Sequence, residues 1–414
     1  MYKNLEIKLK EKNIILYLIG LLPLSLLIGT FVAEIIVFLT IAFFLYELFI
    51  FKNFKFLKNN LFLIFIIIYI YLIINLFYSS NFDLSFNRAV FFLRFPIFVM
   101  ATAYFIKKNN YNFDIIYKLW AITISVVIID LYFQYIFGFN TLGFTSPWPE
   151  RLTGFLGEEL KIAHILIGFG MHVLIFYFIK NKNMRLFYIF LIIYLIILFL
   201  VNERSNAIKG TLIIFFSYLF INEIKIKEKI IFLTILISLV VSIVSLNKTV
   251  NQRFFLEIKD IELEKDKLSN YIKYTKYGSH YLSGIEIFKQ NPILGSGIKT
   301  FREACYFVDL KKYYKNSDLY KYRCSTHPHQ VHIEWLAELG LIGYSLFIIL
   351  FIYLLIKSIK IFFVNKNSNI LCPILFVICH YLPLLPSGSF FTNFAAIIFW
   401  INVGIIYSEI IKYE

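Results

Sequence analysis

The chain is built from apolar blocks of about 20 residues, the length at which a helix crosses a ~30 Å hydrocarbon core. Twelve such blocks can be marked, near 14–30, 32–51, 60–78, 87–106, 117–137, 163–179, 186–201, 207–222, 229–246, 340–357, 370–386 and 392–410. His380, Pro383 and Pro386 interrupt the eleventh. Hydrophobic residues make up 59% of the sequence and charged residues 16%, against about 45–50% and about 25% in soluble domains. The pattern predicts an all-α polytopic membrane protein of about 12 transmembrane helices. The first block runs almost directly into the second with no small-residue cleavage site, so it reads as a retained span.

The formal net charge of +15 could point to nucleic acid, but the placement of the basic residues accounts for it otherwise. With the N-terminus in the cytoplasm, the inner connections read "FKNFKFLKNN", "KKNNYN", "KNKNMR", "NEIKIKEK" and "KSIKIFFVNKN". The short outer connections "SSNFDLSFN", "VNERSN" and "LPSGSFFTN" are poor in lysine. That alternation is the positive-inside pattern; it predicts both termini in the cytoplasm and makes nucleic acid unnecessary as a partner. Two long connections then fall outside, one at about 139–161 and one of about eighty residues at 247–328. The chain therefore divides into a membrane bundle of about nine helices at 1–246, a large outer loop at 247–328, and about three membrane helices at 329–414. "EIKDIELEKDK" opens the loop, which is expected to form a small, partly helical domain. Cys305 and Cys324 both lie in it and could pair in an oxidising compartment or remain free thiols.

Charges inside membrane blocks are costly and hence candidates for function. Arg88 and Arg94 lie in the fourth block; Asp130 and Gln134 share one face of the fifth. Arg88 and Asp130 could equally be structural, and Glu34 and Glu47 could simply snorkel. Arg204 in "VNERSN" and Arg151 in "PERLTGFLGEEL" sit in outer turns, where a guanidinium could cap, anchor to lipid, or grip a lipid-linked phosphate bidentately.

Three of the seven histidines, His327, His329 and His332, crowd into "STHPHQVHIEWLAELGLIG". Their spacings of two and three do not match the four-residue spacing of a helical zinc pair, so no metal is expected. Pro328 suits the first position of a helix, which would put His329 in the first turn. Unpaired N–H groups and the helix dipole there favour an anion and keep the imidazole neutral. Gly340 and Gly343 would let a neighbouring helix approach closely. A base, an anion hole and an amphiphilic substrate could meet there; histidines that merely cap a helix at the interface are the alternative.

"HQVHIEWLAELGLIG" fits the pattern His-[Asn/Ser/Gln], nine residues, Gly, two residues, Gly, and in this it resembles the O-antigen ligases, within the broader family of O-antigen ligases and polymerases of bacterial envelopes. "NPILGSGIKTF" looks like that family's segment before the histidine helix, and "ERSN" like its outer-turn arginine, Arg204. The resemblance implies a glycosyltransferase of the bacterial inner membrane, active on the periplasmic side in lipopolysaccharide biosynthesis. It would take a glycan from undecaprenyl diphosphate and pass it to a glycolipid such as lipid A–core, without cofactor or metal. His329 would be the base and Arg204 a catalytic cation. The family's second loop arginine has no counterpart where Lys276 and His280 stand, which leaves Arg302 and Arg323 as candidates. His327, His332, Arg151 and Arg94 complete the expected substrate-binding set. A polymerase joining two carrier-linked glycans would use the same residues. A transporter would instead call for a polar path at mid-membrane and an inverted repeat, and neither is visible.

Overall fold

The structure is a computed structural model. It describes residues 14–181, 183–221, 224–256, 275–313, 318–365, 367–383 and 385–413. The "EIKDIELEKDK" stretch lies outside them.

The described residues are helical, with no strand among them beyond one isolated bridge between Phe139 and Thr145. In chain order the main helices are α1 (Leu22–Ile28), α2 (Thr30–Ile50), α3 (Asn60–Phe77), α4 (Phe82–Val90), α5 (Arg94–Lys108), α6 (Asp114–Phe137), α7 (Met171–Asn181), α8 (Met184–Leu200), α9 (Arg204–Phe220), α10 (Ile226–Leu246), α11 (Lys276–Gln290), α12 (Val331–Asn365), α13 (Leu371–His380) and α14 (Asn393–Tyr413). Seven helical stretches among the described residues are long and apolar enough to cross a membrane: α2, α3, α4 with α5, α6, α10, α12 and α14. Shorter apolar helices occupy 162–177, 185–200 and 371–380.

Burial sorts these helices. In its most apolar stretch α14 is 94% buried, whereas α10 is 11% buried, so α14 forms the axis of the bundle and α10 its lipid-facing edge. The α14 helix packs along α5, where a side chain on Gly404 would come within 2.9 Å of Thr102. Trp400 of α14 meets Phe65, Phe92, Phe95 and Phe399 in a cluster of edge-on and stacked rings.

Three departures from regular helix position the site. The fourth apolar block is not one helix: α4 ends, residues 91–93 form a 3-10 turn, and α5 begins at Arg94. Pro96 explains the break, because it has no N–H to give to the carbonyl four residues back. The eleventh block stops at His380, short of the 386 expected, where Pro383 and Pro386 bar continuation. The third departure is in α12, which is non-helical at Gly340 (φ 63°, ψ −169°). There the loop 291–297 threads against the open backbone. Ser296 N–H donates to Ala337 O (2.9 Å), Gly297 N–H to Glu338 O (2.8 Å), and Leu341 N–H to Pro292 O (2.8 Å). The Tyr71 hydroxyl of α3 donates to Leu339 O. The break is therefore fully compensated by hydrogen bonds, as buried backbone requires. Gly340 thus admits a loop backbone, not the helix expected; Gly343 does face a helix, at Tyr71.

Asp130 and Gln134, the pair on one face of α6, hold the 139–161 connection. Asp130 Oδ1 accepts from Thr141 N–H (2.8 Å), and Gln134 Oε1 accepts from Thr153 N–H (3.0 Å) and Gly154 N–H (2.8 Å). Their role is structural. Glu34 and Glu47 do not merely snorkel; they pair with Arg94 and Lys108. In the large loop, Cys305 and Cys324 form a disulfide, and Cys372 and Cys379 are buried free thiols.

Candidate active site

His329 does not stand in the first turn of a helix. The helix begins at Val331, and His329 precedes it in a left-handed conformation (φ 58°). Pro328 is accordingly outside the helix. Gln330 supplies the cap instead, its side-chain oxygen accepting from Ile333 N–H at 2.9 Å. The left-handed turn swings His329 away from the α12 axis and into contact with α11. Its ring lies 4.0 Å from that of His327, 5.3 Å from His280 and 5.4 Å from Tyr277, centroid to centroid. Its Nε2 is 3.1 Å from Ser325 Oγ. Burial, and then the neighbouring His280, bring the His329 pKa down to about 4. Burial does the same to His280, also to about 4, and it holds His327 well below the ordinary imidazole value. The neutral imidazole expected at residue 329 is present, but desolvation sets it, not a helix end.

The other expected site residues divide into groups. Lys276, one turn before His280, lies over the Tyr322 ring at 4.4 Å. Arg323 lies over Tyr320 at 4.4 Å, and its carbonyl accepts from Ser283 Oγ (2.7 Å). This ties the segment after the disulfide to α11, close to the imidazoles. His332 is held apart from the other imidazoles: its Nε2 bonds to Tyr381 O (2.7 Å), and its ring contacts are Trp335, Tyr344 and Tyr381. Arg204 Nη1 donates to Arg253 O (2.9 Å), and Arg253 pairs with Glu150 (3.5 Å). Arg151 belongs to the same corner, because Asn202 Nδ2 donates to Glu150 O (3.0 Å). Glu203 is buried there, which pushes its carboxyl up to about 7 against the pull of Asn206 and the nearby arginines. Arg94 and Arg302 line a separate cleft, described below.

One short stretch, Pro386–Ser389, runs between the start of α9, the histidine turn and the buried acids of α12. Pro386 O accepts from Ser205 Oγ and from Lys209 Nζ (3.3 Å). Ser387 N–H donates to His329 O (2.8 Å), and Ser387 O meets His327 Nε2 (3.2 Å). Ser389 Oγ bonds to both Lys299 and Glu334. Ser205, next to Arg204 in sequence, and His329 are thus both bonded to one four-residue connector.

Lys299 escaped the sequence reading. It is 4% exposed, has a left-handed backbone (φ 66°), and lies between the charges of Glu334 and Glu338. Glu338 Oε2 accepts from Lys299 N–H (2.8 Å) and Oε1 from Phe301 N–H (3.3 Å). The available signal was the four-residue spacing of Glu334 and Glu338, which puts both acids on one face of α12. Among the described residues no group of three or more His, Cys, Asp or Glu side chains is placed to hold a metal ion.

Residues 189–348 match the family model described as O-antigen ligase. The family resemblance carried by the histidine motif is thus shown. The O-antigen ligase segment contains Arg204, the α11 imidazole, the disulfide and the whole histidine turn, and leaves Arg88, Arg94 and Arg151 outside it. It supports activity of the O-antigen ligase or polymerase type, with lipid-linked glycans as substrates. No curated protein matches the chain.

Proposed function

We propose that the protein transfers a glycan from undecaprenyl diphosphate to a hydroxyl of a lipid A–core or related glycolipid, on the periplasmic face of the bacterial inner membrane. The observation that carries this reading is the neutral imidazole of His329 set among His327, His280 and Tyr277, within the matched ligase segment. His329 takes the proton of the acceptor hydroxyl as that oxygen attacks the anomeric carbon. The bond from that carbon to the diphosphate oxygen breaks, and the pair leaves with undecaprenyl diphosphate. One displacement inverts the anomeric centre. Arg204, whose neighbour Ser205 is bonded to the Pro386–Ser389 connector, offsets the charge that develops on the leaving group. The cytoplasmic placement of both termini and the division at 246 and 328 belong to the same proposal.

A base with a pKa of about 4 is deprotonated throughout the neutral range, so the direction of the pH effect is fixed. Transfer rate should be flat from about pH 7 down to about pH 5 and fall as pH drops through about 4, where His329 gains its proton. An acid limb centred near 6.5, the ordinary imidazole value, would mean that the catalytic base is not this buried group.

Ligase and polymerase are separated by the carrier-linked pool. Disruption of the gene in its host should remove long glycan from lipid A–core while long chains accumulate on undecaprenyl diphosphate. Accumulation of single repeat units on the carrier would assign the polymerase reaction instead.

A further inference from the structure

A cleft of about 570 Å³ opens where α4, α5, the start of α14 and the 297–302 turn meet. Four cations line it, Arg88, Arg94, Lys299 and Arg302, against two carboxylates, Glu34 and Asp83. Neither His329 nor Arg204 is part of its lining. Two of the cations are already matched. Glu34 holds Arg94 through both carboxylate oxygens at 3.0 Å, and Lys299 sits between Glu334 and Glu338. The other two are not. Arg88 is bonded through Nη1 to the neutral Asn393 amide oxygen. Arg302 is exposed, and no side-chain acceptor among the described residues is bonded to it. Arg88 feels the positive charges of Arg94 and Arg302 against the negative charge of Glu34, whose two oxygens are already taken by Arg94. Two like charges facing one cleft, with Asp83 as the remaining carboxylate of the lining, are stabilised by an anion of two or more charges between them.

The rim says what carries that anion. Phe82, Phe86 and Phe91 are 46%, 42% and 57% exposed on the α4 side, and Phe91 and Leu84 line the cleft itself. Exposed aromatics along the amphipathic α4, beside a cationic pocket, fit a head group with hydrocarbon attached. We infer that this cleft binds the phosphate group of a membrane lipid, as an anion site separate from the histidine turn. Two lipids share that chemistry, a polyprenyl diphosphate and a phosphorylated glycolipid. Only this pair of names rests on the ligase reading. The cleft is joined to the histidine turn through Lys299, Ser389 and the Pro386–Ser389 connector, so a lipid phosphate held here would sit one connector away from the base.

The test uses the full-length protein purified in detergent. Lipid binding is measured by native mass spectrometry with undecaprenyl diphosphate, with bis-phosphorylated lipid A, and with undecaprenol as the phosphate-free probe. The variants are Arg302→Gln, whose exposed side chain is not needed for packing, Arg88→Gln/Arg302→Gln, and Lys412→Gln as a distant control. The wild type should retain one or both phosphorylated lipids and not undecaprenol. Arg302→Gln should weaken that binding by at least about tenfold, the worth of one charge-assisted hydrogen bond, and the double variant by more. Loss for undecaprenyl diphosphate alone assigns the donor; loss for lipid A alone assigns the acceptor. Undiminished binding in Arg302→Gln, or equal binding of undecaprenol by the wild type, overturns the inference. His329→Ala measured alongside separates the two readings. If it binds lipid normally but transfers nothing while Arg302→Gln binds normally, the cleft inference fails and the ligase reading stands. If it transfers normally while Arg302→Gln loses lipid, the reverse holds.

Discussion

Replacing His329 with alanine should lower glycan transfer by about 10²–10⁴-fold, the usual worth of a positioned general base. The measurement is transfer from a purified carrier-linked glycan to lipid A–core in proteoliposomes, with folding checked by size-exclusion profile. The large effect is expected because nothing nearby can replace the base. His327 has both ring nitrogens engaged, one with Thr326 Oγ1 (2.9 Å) and one with Ser387 O (3.2 Å), and it is 9% exposed. His280 is 8% exposed and set behind His329 on α11. The folded protein should survive, because His329 makes its fold-defining contact through its backbone carbonyl, which accepts from Ser387 N–H whatever the side chain. Unchanged transfer by His329→Ala would reduce the imidazole cluster to a structural knot.

The second large effect is on assembly. Gly340→Ala should cost at least about 3 kcal/mol, because φ 63° with ψ −169° is a region that glycine alone enters without strain, and there is overlap besides. A Cβ at this position would lie 2.4 Å from Ile293 O and 2.5 Å from Gly295 N. Both are backbone atoms held by hydrogen bonds, so neither can give way cheaply. Gly295 has the mirror-image problem, with a Cβ falling 2.4 Å from Gly340 N. The yield of monodisperse protein should collapse for Gly340→Ala and for Gly295→Ala. Gly388→Ala is the control: its Cβ would meet only His164 Nε2, at an ordinary 3.6 Å. Full yield from Gly340→Ala would mean that the loop is not seated in the helix break.

What could be read from the sequence was what the chain encodes locally. Apolar blocks became helices because block length and backbone hydrogen bonding are properties of consecutive residues. His329 was legible because it stands in a dense motif with glycines at fixed offsets. The turn around it was not. Pro328 satisfies the local rule for a helix start, yet the Gln330 cap and the Ser387 bond to His329 O move the start to Val331, and residue 387 is remote in sequence. Arg94 looked like an unpaired charge in a span because its partner, Glu34, lies sixty residues earlier. Lys299 was not legible for the same reason: its surroundings come from α12 and from Ser389. The cleft joins residues 34, 83–94, 299–302 and 393, and no window of sequence contains it.

The interruption of α12 also bears on how the molecule sits in bilayers of unequal depth. A continuous 35-residue helix would behave as a rod, and any lean imposed by a thinner or thicker bilayer would be levered onto the histidine turn at its tip. At Gly340 the rod is cut. The carbonyls above the cut are fastened to the 291–297 loop and to Tyr71, and the first N–H groups below it to Pro292 and Ile293 of the same loop. The loop clamps both lengths at the cut, so a lean of the lower length meets that clamp before it reaches the turn that packs on α11. Mismatch between protein and membrane is then resisted at one clamped glycine, ahead of the chemistry.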